Sequence, residues 1–209
     1  ILPEEVYSAA KTGAFNIHAS LLPKYRGAAP INWAIINGEE ETGLTSFLLK
    51  KKVDTGDIIM QHTVKIPENA TAGDLHDIMM PEAARIAAAT TKILIKGEYA
   101  TVPQDSGAAT PAPKLFREQC DIKWEGHARD IRNFIHGVSP IPGAWTTWNA
   151  EMIKIFRVEY SACGNGEPGV YWIEGDSFFV HCGKGIIKLK EIQLAGKRKM
   201  KTEDFLAGY

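Results

Sequence analysis

Three residues in the first third of the chain have side chains that could together promote the transfer of an acyl group. Asn16 and His18 lie two apart in a short apolar stretch after Gly13, so in a β-strand they would project to the same face. Asp54 lies in a polar segment between two apolar runs, which predicts a loop joining two strands. An amide can stabilise an oxyanion, and an imidazole can donate to the same oxygen or move a proton. A carboxylate can orient the imidazole and balance its charge. The spacing alone is a weak signal, because most Asn-x-His pairs are surface or satisfied core residues.

The longer sequence around these residues is more specific. Asn16-Ile17-His18 is followed by Ser20-Leu21-Leu22-Pro23, by Arg26-Gly27 and, further on, by Asp54-Thr55-Gly56. This string resembles the signature of the folate-dependent formyltransferases. The resemblance implies that Asn16, His18 and Asp54 are catalytic and that the formyl donor is 10-formyltetrahydrofolate, with no metal. It implies folate contacts for a second set of residues, which are Ser20, Leu21, Leu22, Pro23 and Gly27.

The end of this string, residues 26–31, resembles the branch of the family that acts on methionyl-tRNA. A looser similarity continues through Trp124, the turn at residues 140–144 and residues 195–206. The resemblance therefore implies initiator methionyl-tRNA as the acceptor and a role in translation initiation.

Charge is unevenly distributed along the chain. Residues 1–95 carry 9 Lys and Arg against 11 Asp and Glu, whereas residues 184–201 carry 7 against 1, a difference of +6. A basic run is more often a solvated surface than a ligand site, but contact with phosphates requires such a surface. Together with the resemblance, this pattern predicts tRNA contacts at Lys114, Lys197, Arg198 and Lys199.

Apolar periodicity predicts α/β structure in the first half of the chain. Residues 58–66 alternate as a half-buried strand, and this places His62 on the buried face with no chemical role. A capping box at Thr71 opens a helix that extends to Gly97, and Pro81 is expected to kink or split it.

The sequence predicts two domains and a linker. Residues 96–114 are rich in Gly, Pro, Ala, Ser and Thr and lack periodicity, which indicates an interdomain linker between domains at 1–95 and 115–209. Five short strands between residues 144 and 194 predict a small closed barrel of the oligonucleotide-binding (OB) type. The resemblance implies the C-terminal part of a Rossmann-like formyltransferase domain followed by this OB-fold-like barrel.

Family members carry further βα units before the Asn-x-His segment. The chain is therefore expected to be a C-terminal fragment, with part of the folate pocket and a tRNA-contacting loop supplied by the preceding region. Little activity is expected of the fragment alone, because half of an open α/β sheet leaves apolar faces and strand edges uncovered.

Composition bounds the remaining possibilities. The 209 residues are 44% hydrophobic and 23% charged, with a net charge of −1, as in a globular protein. No apolar run approaches the roughly 18 residues of a membrane helix. Three widely spaced cysteines without Cys-x-x-Cys indicate neither a disulfide framework nor a zinc site, so a cytoplasmic location is predicted.

Two other functions stay open at this point. A hydrolase or dehydrogenase-linked domain that passes the formyl group to water has a similar signature. Residues 115–209 could also act only as a tRNA-binding module without catalysis.

Overall fold

The computed structural model describes residues 3–97 and 99–208, and these form two compact units. The first unit comprises residues 3–34, 39–67 and 74–114, apart from residue 98. The second comprises residues 35–38, 68–73 and 115–208.

Five strands and three helices occur in the part of the chain up to residue 114. In chain order they are α1 (Glu4–Ser8), β1 (Phe15–His18), β2 (Arg26–Gly27), α2 (Pro30–Ile36), β3 (Glu41–Leu48), β4 (Ile58–Lys65), α3 (Ala72–Lys96) and β5 (Pro111–Ala112). A single 3-10 turn, Ser106–Ala108, precedes β5.

The first unit is built on an antiparallel sheet in the order β1-β3-β4. Its central strand β3 is buried from Thr42 to Phe47, because α3 lies over one face and the loop after β1 packs against the other. The hydroxyl of Thr90 on α3 donates to Ser46 Oγ on β3 at 2.9 Å, and both residues are fully buried. Burial on both faces explains why apolar and polar residues do not alternate along β3.

One expectation for this unit is wrong and another holds at most in part. Helix α3 is not split, because Pro81 is exposed and the carbonyl it leaves unpaired can bond to water; a kink at Pro81 stays a prediction. His62 is exposed, with its Nε2 3.7 Å from Glu82 Oε2. The reason is that β4 is an edge strand of which only Val64 is buried, so alternation in the sequence did not correspond to a covered face.

Residues 99–114, predicted to be a linker, are built into the first unit. Val102 forms an antiparallel bridge with Ile58 at the start of β4. Further on, β5 pairs in parallel with β2. The Trp33 indole donates to the Pro113 carbonyl at 2.8 Å, which extends this contact to α2. This segment therefore lies against the loop that follows β1.

The second unit contains α4 (Ala128–Gly137), β6 (Ala144–Trp148), β7 (Glu151–Ser161), β8 (Tyr171–Glu174), β9 (Ser177–His181), β10 (Ile186–Leu194), β11 (Met200–Lys201) and α5 (Thr202–Ala207). All five strands expected between residues 144 and 194 are confirmed. They form an antiparallel sheet in the order β6-β7-β10-β9-β8, and β11 pairs with β10.

The sheet curls so that its first and last strands approach each other. The Trp148 ring at the end of β6 packs edge-on against Tyr171 of β8, with ring centroids 6.4 Å apart. The Tyr171 hydroxyl donates to Asn149 Oδ1 at 3.4 Å. In the described ranges no ladder joins β6 to β8, so the closed OB-type barrel stays a prediction.

The inside of the curled sheet is an apolar core closed by α4. It includes Ile135 of α4, Ile155 of β7 and Ile187 of β10, all nearly inaccessible to solvent. Cys182 lies in the same core, and burial raises the pKa of its thiol to about 11, so the thiol stays neutral. None of the helices in the described ranges has the length and apolar character needed to cross a bilayer.

Thr45 of β3 holds the loop after β1 against the sheet of the first unit. Its hydroxyl donates to the Ser20 carbonyl at 2.7 Å and accepts from the Leu22 amide at 3.1 Å and from Gln61 Nε2 at 3.0 Å. Thr45, Ser20 and Leu22 are all buried, so water cannot replace the Thr45 hydroxyl as the partner of the Ser20 carbonyl and the Leu22 amide.

Replacing Thr45 with Val should lower the free energy of unfolding by about 2 to 4 kcal/mol, because it leaves the buried amide of Leu22 and the carbonyl of Ser20 unpaired. Urea unfolding measures this change. Thr63→Val on exposed β4 is the matched control and should change stability by less than about 0.5 kcal/mol. Equal stability of the two variants would contradict the role given to Thr45.

Candidate active site

Strand β1 positions Asn16 and His18 at the edge of the first unit's sheet. Asn16 pairs with Phe47 and His18 with Thr45 in the antiparallel ladder to β3. The strand predicted from the sequence is therefore present. Asn16 is exposed, whereas His18 is only 7% exposed.

Backbone geometry fixes the protonation pattern of the His18 ring. Its Nε2 lies 2.7 Å from the carbonyl oxygen of Tyr25, which can only accept, so Nε2 carries a hydrogen. Tyr25 itself has a left-handed backbone conformation (φ +60°), and Thr110 Oγ1 accepts from its amide at 2.8 Å. The lone pair of the neutral ring is consequently on Nδ1, the nitrogen that can take up a proton.

Asp54 faces that nitrogen. Its Oδ2 lies 3.7 Å from His18 Nδ1 and accepts from the Gly27 amide at 3.0 Å. Only 11% of the Asp54 side chain is exposed. At this distance the carboxylate does not hydrogen-bond to the neutral ring but stabilises a positive charge on it. The two groups are thus arranged to hold an imidazolium when Nδ1 is protonated.

Two glycines allow this approach. Gly27 has φ +130°, and a Cβ there would lie 2.5 Å from the Ala112 carbonyl oxygen. A Cβ at Gly56, two residues after Asp54, would overlap the Leu48 carbonyl. Any larger residue at either position would push apart the chains that bring Asp54 to Gly27.

Asn16 and Asp54 line one cleft of about 340 Å³. The other lining residues are Tyr7, Phe15, Phe47, Leu49, Lys50, Lys51 and Val53. Within residues 3–97 and 99–208 the Asn16 side-chain amide makes no hydrogen bond, so it is available to a ligand. The structure therefore brings an unused amide and the His18–Asp54 pair together beside a largely apolar cleft.

Of the residues expected to contact folate, Gly27 touches Asp54 through its amide, and the other four lie in the loop after β1. Ser20 is fully buried and its hydroxyl donates to the Lys24 carbonyl at 2.6 Å; Leu22 is 3% exposed. Leu21, Pro23 and Gly27 are partly exposed. None of the five lines the cleft beside Asn16, and their contact with folate stays a prediction.

The residues expected to contact tRNA are all exposed. Lys197, Arg198 and Lys199 lie in the turn between β10 and β11 of the second unit. Lys199 Nζ donates to Glu191 Oε2 at 3.0 Å and lies 5.6 Å from the centre of the Phe156 ring. Lys114 lies at the end of the first unit. Contact of these residues with tRNA also stays a prediction.

Sequence reasoning missed Gln104 and Thr110, which hold the site from within the segment predicted to be a linker. The Gln104 amide donates to the carbonyls of Asp54 and Gly56 at 3.0 and 2.7 Å. The composition of residues 96–114 is typical of a linker and does not predict this role. One feature could have pointed to it: Gln104 is one of few long polar side chains in a segment of small residues.

Two protein-family models match the chain. Residues 1–91 match the formyl transferase family model, and residues 114–209 match the model of the formyl transferase C-terminal domain. The chain is 44% identical over its full length to the methionyl-tRNA formyltransferase of Azobacteroides pseudotrichonymphae and covers 68% of that protein. The chain belongs to the methionyl-tRNA formyltransferase family. The methionyl-tRNA formyltransferase of Caldanaerobacter subterraneus is 42% identical with the same coverage.

Among solved structures, HypX from Aquifex aeolicus in complex with tetrahydrofolic acid shares the fold. It superposes with a TM-score of 0.75 at 18% identity, over 98% of this chain and 36% of HypX. The formyltransferase N- and C-terminal domains expected from the sequence are thus confirmed, as is membership of the formyltransferase family.

The neutral His18 ring should carry its proton on Nε2, because the Tyr25 carbonyl can only accept. Nitrogen-15 NMR of the imidazole ring in the full-length protein distinguishes the two tautomers. In Asp54→Asn the tautomer should be unchanged, since Tyr25 and not Asp54 sets it. Detection of the Nδ1–H tautomer in the unmodified protein would contradict this geometry.

Proposed function

We propose that this protein transfers the formyl group of 10-formyltetrahydrofolate to the α-amino group of methionine esterified to initiator tRNA. Membership of the methionyl-tRNA formyltransferase family supports the acceptor, and the fold shared with a tetrahydrofolate-bound protein is compatible with the donor. The observation that carries the proposal is the placement of Asn16, His18 and Asp54. An amide with no hydrogen-bond partner among the residues that the structure describes shares a cleft with a carboxylate that faces a buried imidazole.

In the first step the free amine attacks the formyl carbon, and negative charge develops on the formyl oxygen. Asn16 donates a hydrogen bond from its side-chain amide to this oxyanion. The amide is already oriented by β1 and has no protein partner to leave among the described residues, so little reorganisation is needed. One donor of this kind contributes roughly 3 to 4 kcal/mol of transition-state stabilisation in other acyl-transfer enzymes.

In the second step the bond between the formyl carbon and N10 of the folate breaks. One proton leaves the attacking amine and one reaches N10, so the reaction is balanced by a single proton transfer. We assign this transfer to His18, which takes the proton on Nδ1 and returns it from there. Asp54 keeps the imidazolium in place with its charge balanced, while the Tyr25 carbonyl holds Nε2–H in both protonation states.

The remaining substrate contacts follow the sequence predictions. We assign folate contact to the loop of Ser20, Leu21, Leu22 and Pro23 and to Gly27. The buried side chains of Ser20 and Leu22 can only shape this loop, so we expect its partly exposed members to touch the folate.

We propose that the second unit binds tRNA. The proposed division is a catalytic domain at residues 1–95, a connecting segment at 96–114, of which residues 99–114 pack into the first unit, and an OB-fold-like domain at 115–209. The curled antiparallel sheet and the exposed basic turn at residues 197–199 support it. Initiator tRNA and folate are the proposed partners, and the cytoplasm, where translation begins, is the proposed location.

The direct test is an assay of the full-length protein with 10-formyltetrahydrofolate and charged initiator tRNA. We expect formylmethionyl-tRNA to form in proportion to tetrahydrofolate. Release of free formate without formylated tRNA would show instead that the formyl group passes to water. Salt-dependent tRNA binding with neither product would leave only a tRNA-binding module.

Asp54→Asn should lower kcat by at least about 100-fold and leave the affinity for tRNA nearly unchanged, because it removes the charge that stabilises the His18 imidazolium. Single-turnover kinetics and a filter-binding assay measure the two effects. Asp57→Asn is the matched control: Asp57 pairs with Lys50 at 2.8 Å at the surface of the same loop. Retained turnover in Asp54→Asn would refute the assignment.

Replacing Lys197, Arg198 and Lys199 with Ala should weaken tRNA binding. The slope of log affinity against log salt should fall by about one for each phosphate that the variant no longer binds. The matched control replaces the exposed Lys65, Lys92 and Lys96 of the first unit. Lys114→Ala is expected to weaken binding in the same way but to a smaller extent. An unchanged slope in the triple variant would exclude the β10–β11 turn as a phosphate-binding surface.

A further inference from the structure

We infer that Gln104 is a positioning residue for Asp54, and that the catalytic geometry depends on its side-chain amide. This inference rests on the proposed function, because it assigns Gln104 an effect through the proposed catalytic carboxylate. It concerns a residue from the segment whose composition resembles a linker.

All the hydrogen-bonding groups of the Gln104 amide are engaged. Its Nε2 donates to the carbonyl oxygens of Asp54 and Gly56 at 3.0 and 2.7 Å. Its Oε1 accepts from Arg26 Nε at 3.0 Å and from Arg26 Nη2 at 2.6 Å. An amide with two donors and two lone pairs has no further capacity, so its orientation is determined by these four bonds.

The partners of Nε2 and the partner of Oε1 lie at the two ends of one hydrogen bond, the bond from the Gly27 amide to the Asp54 carboxylate. Nε2 holds the loop that carries the Asp54 carboxylate. Oε1 holds Arg26, whose neighbour Gly27 donates its amide to that carboxylate at 3.0 Å. Gln104 thus joins the chain of the donor to the chain of the acceptor, and it fixes their separation.

The Asp54 loop needs such an external hold. Asp54 has a left-handed backbone conformation with φ +52°, which is uncommon for a residue with a side chain. The preceding residues 50–53 are largely exposed. The bonds that join the loop to other segments include those of Gln104 and the Gly27–Asp54 bond, while the Leu48–Asp57 backbone bond, the Lys50–Asp57 pair and the Thr55–Lys52 bond lie within the loop or at the end of β3.

Gln104 is itself held by the sheet. Val102, two residues earlier, exchanges both backbone hydrogen bonds with Ile58, at 2.8 and 2.9 Å. A few residues later, Thr110 accepts from the Tyr25 amide, and its carbonyl accepts from the Arg26 amide at 2.8 Å. The segment is therefore fixed on both sides of Gln104, which makes the amide a rigid support rather than a mobile contact.

The experiment compares Gln104→Met and Gln104→Glu in the full-length protein. Met removes the four hydrogen bonds at similar length. Glu keeps an acceptor for Arg26 but cannot donate to the carbonyls of Asp54 and Gly56. Both variants should lower kcat by about 10- to 100-fold, with KM for both substrates within about two-fold. Activity of Gln104→Glu equal to that of the unmodified protein would overturn the inference.

Thr90→Val is the control for stability. It removes a buried hydrogen bond to Ser46 in the same unit without contact to Asp54, so it should reduce stability while kcat stays within about two-fold. If Thr90→Val and Gln104→Met lower kcat equally, the effect of Gln104 is only structural and the inference fails.

A double variant tests whether Gln104 acts through Asp54. Gln104→Met should add less than about two-fold to the loss of kcat caused by Asp54→Asn, because the charge it positions is already absent. Losses that multiply would show that Gln104 acts by another route.

Hydrogen exchange of the Gly27 amide gives a readout that does not depend on activity. Its exchange should accelerate at least about ten-fold in Gln104→Met and stay unchanged in Thr90→Val. If exchange accelerates but Asp54→Asn keeps full turnover, Gln104 positions Asp54 as inferred and the proposed catalytic role is wrong. If exchange is unchanged in Gln104→Met, the positioning role itself is wrong.

Discussion

One carboxylate oxygen, Asp54 Oδ2, connects the parts of the candidate site. It accepts the Gly27 amide and faces His18 Nδ1, so it joins the end of the β1 loop to the buried imidazole. A carboxylate that is 11% exposed is costly to bury unless its charge is met by donors. The amide of Gly27 meets that need on one side, and a protonated His18 can meet it on the other. The requirement to satisfy this charge explains why a loop residue with φ +52° is held so closely against the sheet.

Close backbone approach is the second constraint, and it explains the glycines around the site. Gly27 lies against the Ala112 carbonyl, and Gly56 lies against the Leu48 carbonyl. The Arg-Gly and Asp-x-Gly parts of the sequence string are therefore two halves of one structural arrangement. In each half a charged side chain is hydrogen-bonded within the site, Arg26 to Gln104 and Asp54 to the Gly27 amide. The nearby glycine allows the two chain segments to come close.

The sequence was informative where chemistry and local periodicity coincide. The sequence correctly placed Asn16 and His18 two apart on one strand. The polar interval between two apolar runs correctly placed Asp54 on a loop. The five strands between residues 144 and 194 followed from turn residues between short apolar runs. His62 shows the limit of this reasoning, because alternation cannot tell an edge strand whose apolar face is uncovered from a strand whose apolar face is packed against the protein.

Gln104 and Thr110 were beyond prediction for a different reason. Their partners, Asp54, Arg26 and Tyr25, lie 50 to 85 residues earlier in the chain. No local pattern encodes such a pairing, and a segment of small residues reads as a linker whether or not it packs against something. The resemblance to a family predicts reacting groups but not the side chains that support them.

The site therefore depends on the complete fold of the first unit. Residues 16–27, 54–57 and 102–112 are separate segments. Backbone pairing holds β1 to β3, residue 102 to residue 58 just after the second segment, and β2 to β5. The His18–Tyr25 bond lies within the first of these segments. The Gly27–Asp54, Gln104–Asp54 and Gln104–Arg26 bonds each join two different segments, so no one segment can form the site alone. Formation of the His18–Asp54 pair must then be cooperative with formation of the sheet, and local opening of residues 102–112 would release the carboxylate before it disturbed β1. The function of the site is consequently coupled to the segment that, by composition, has the least apparent structure.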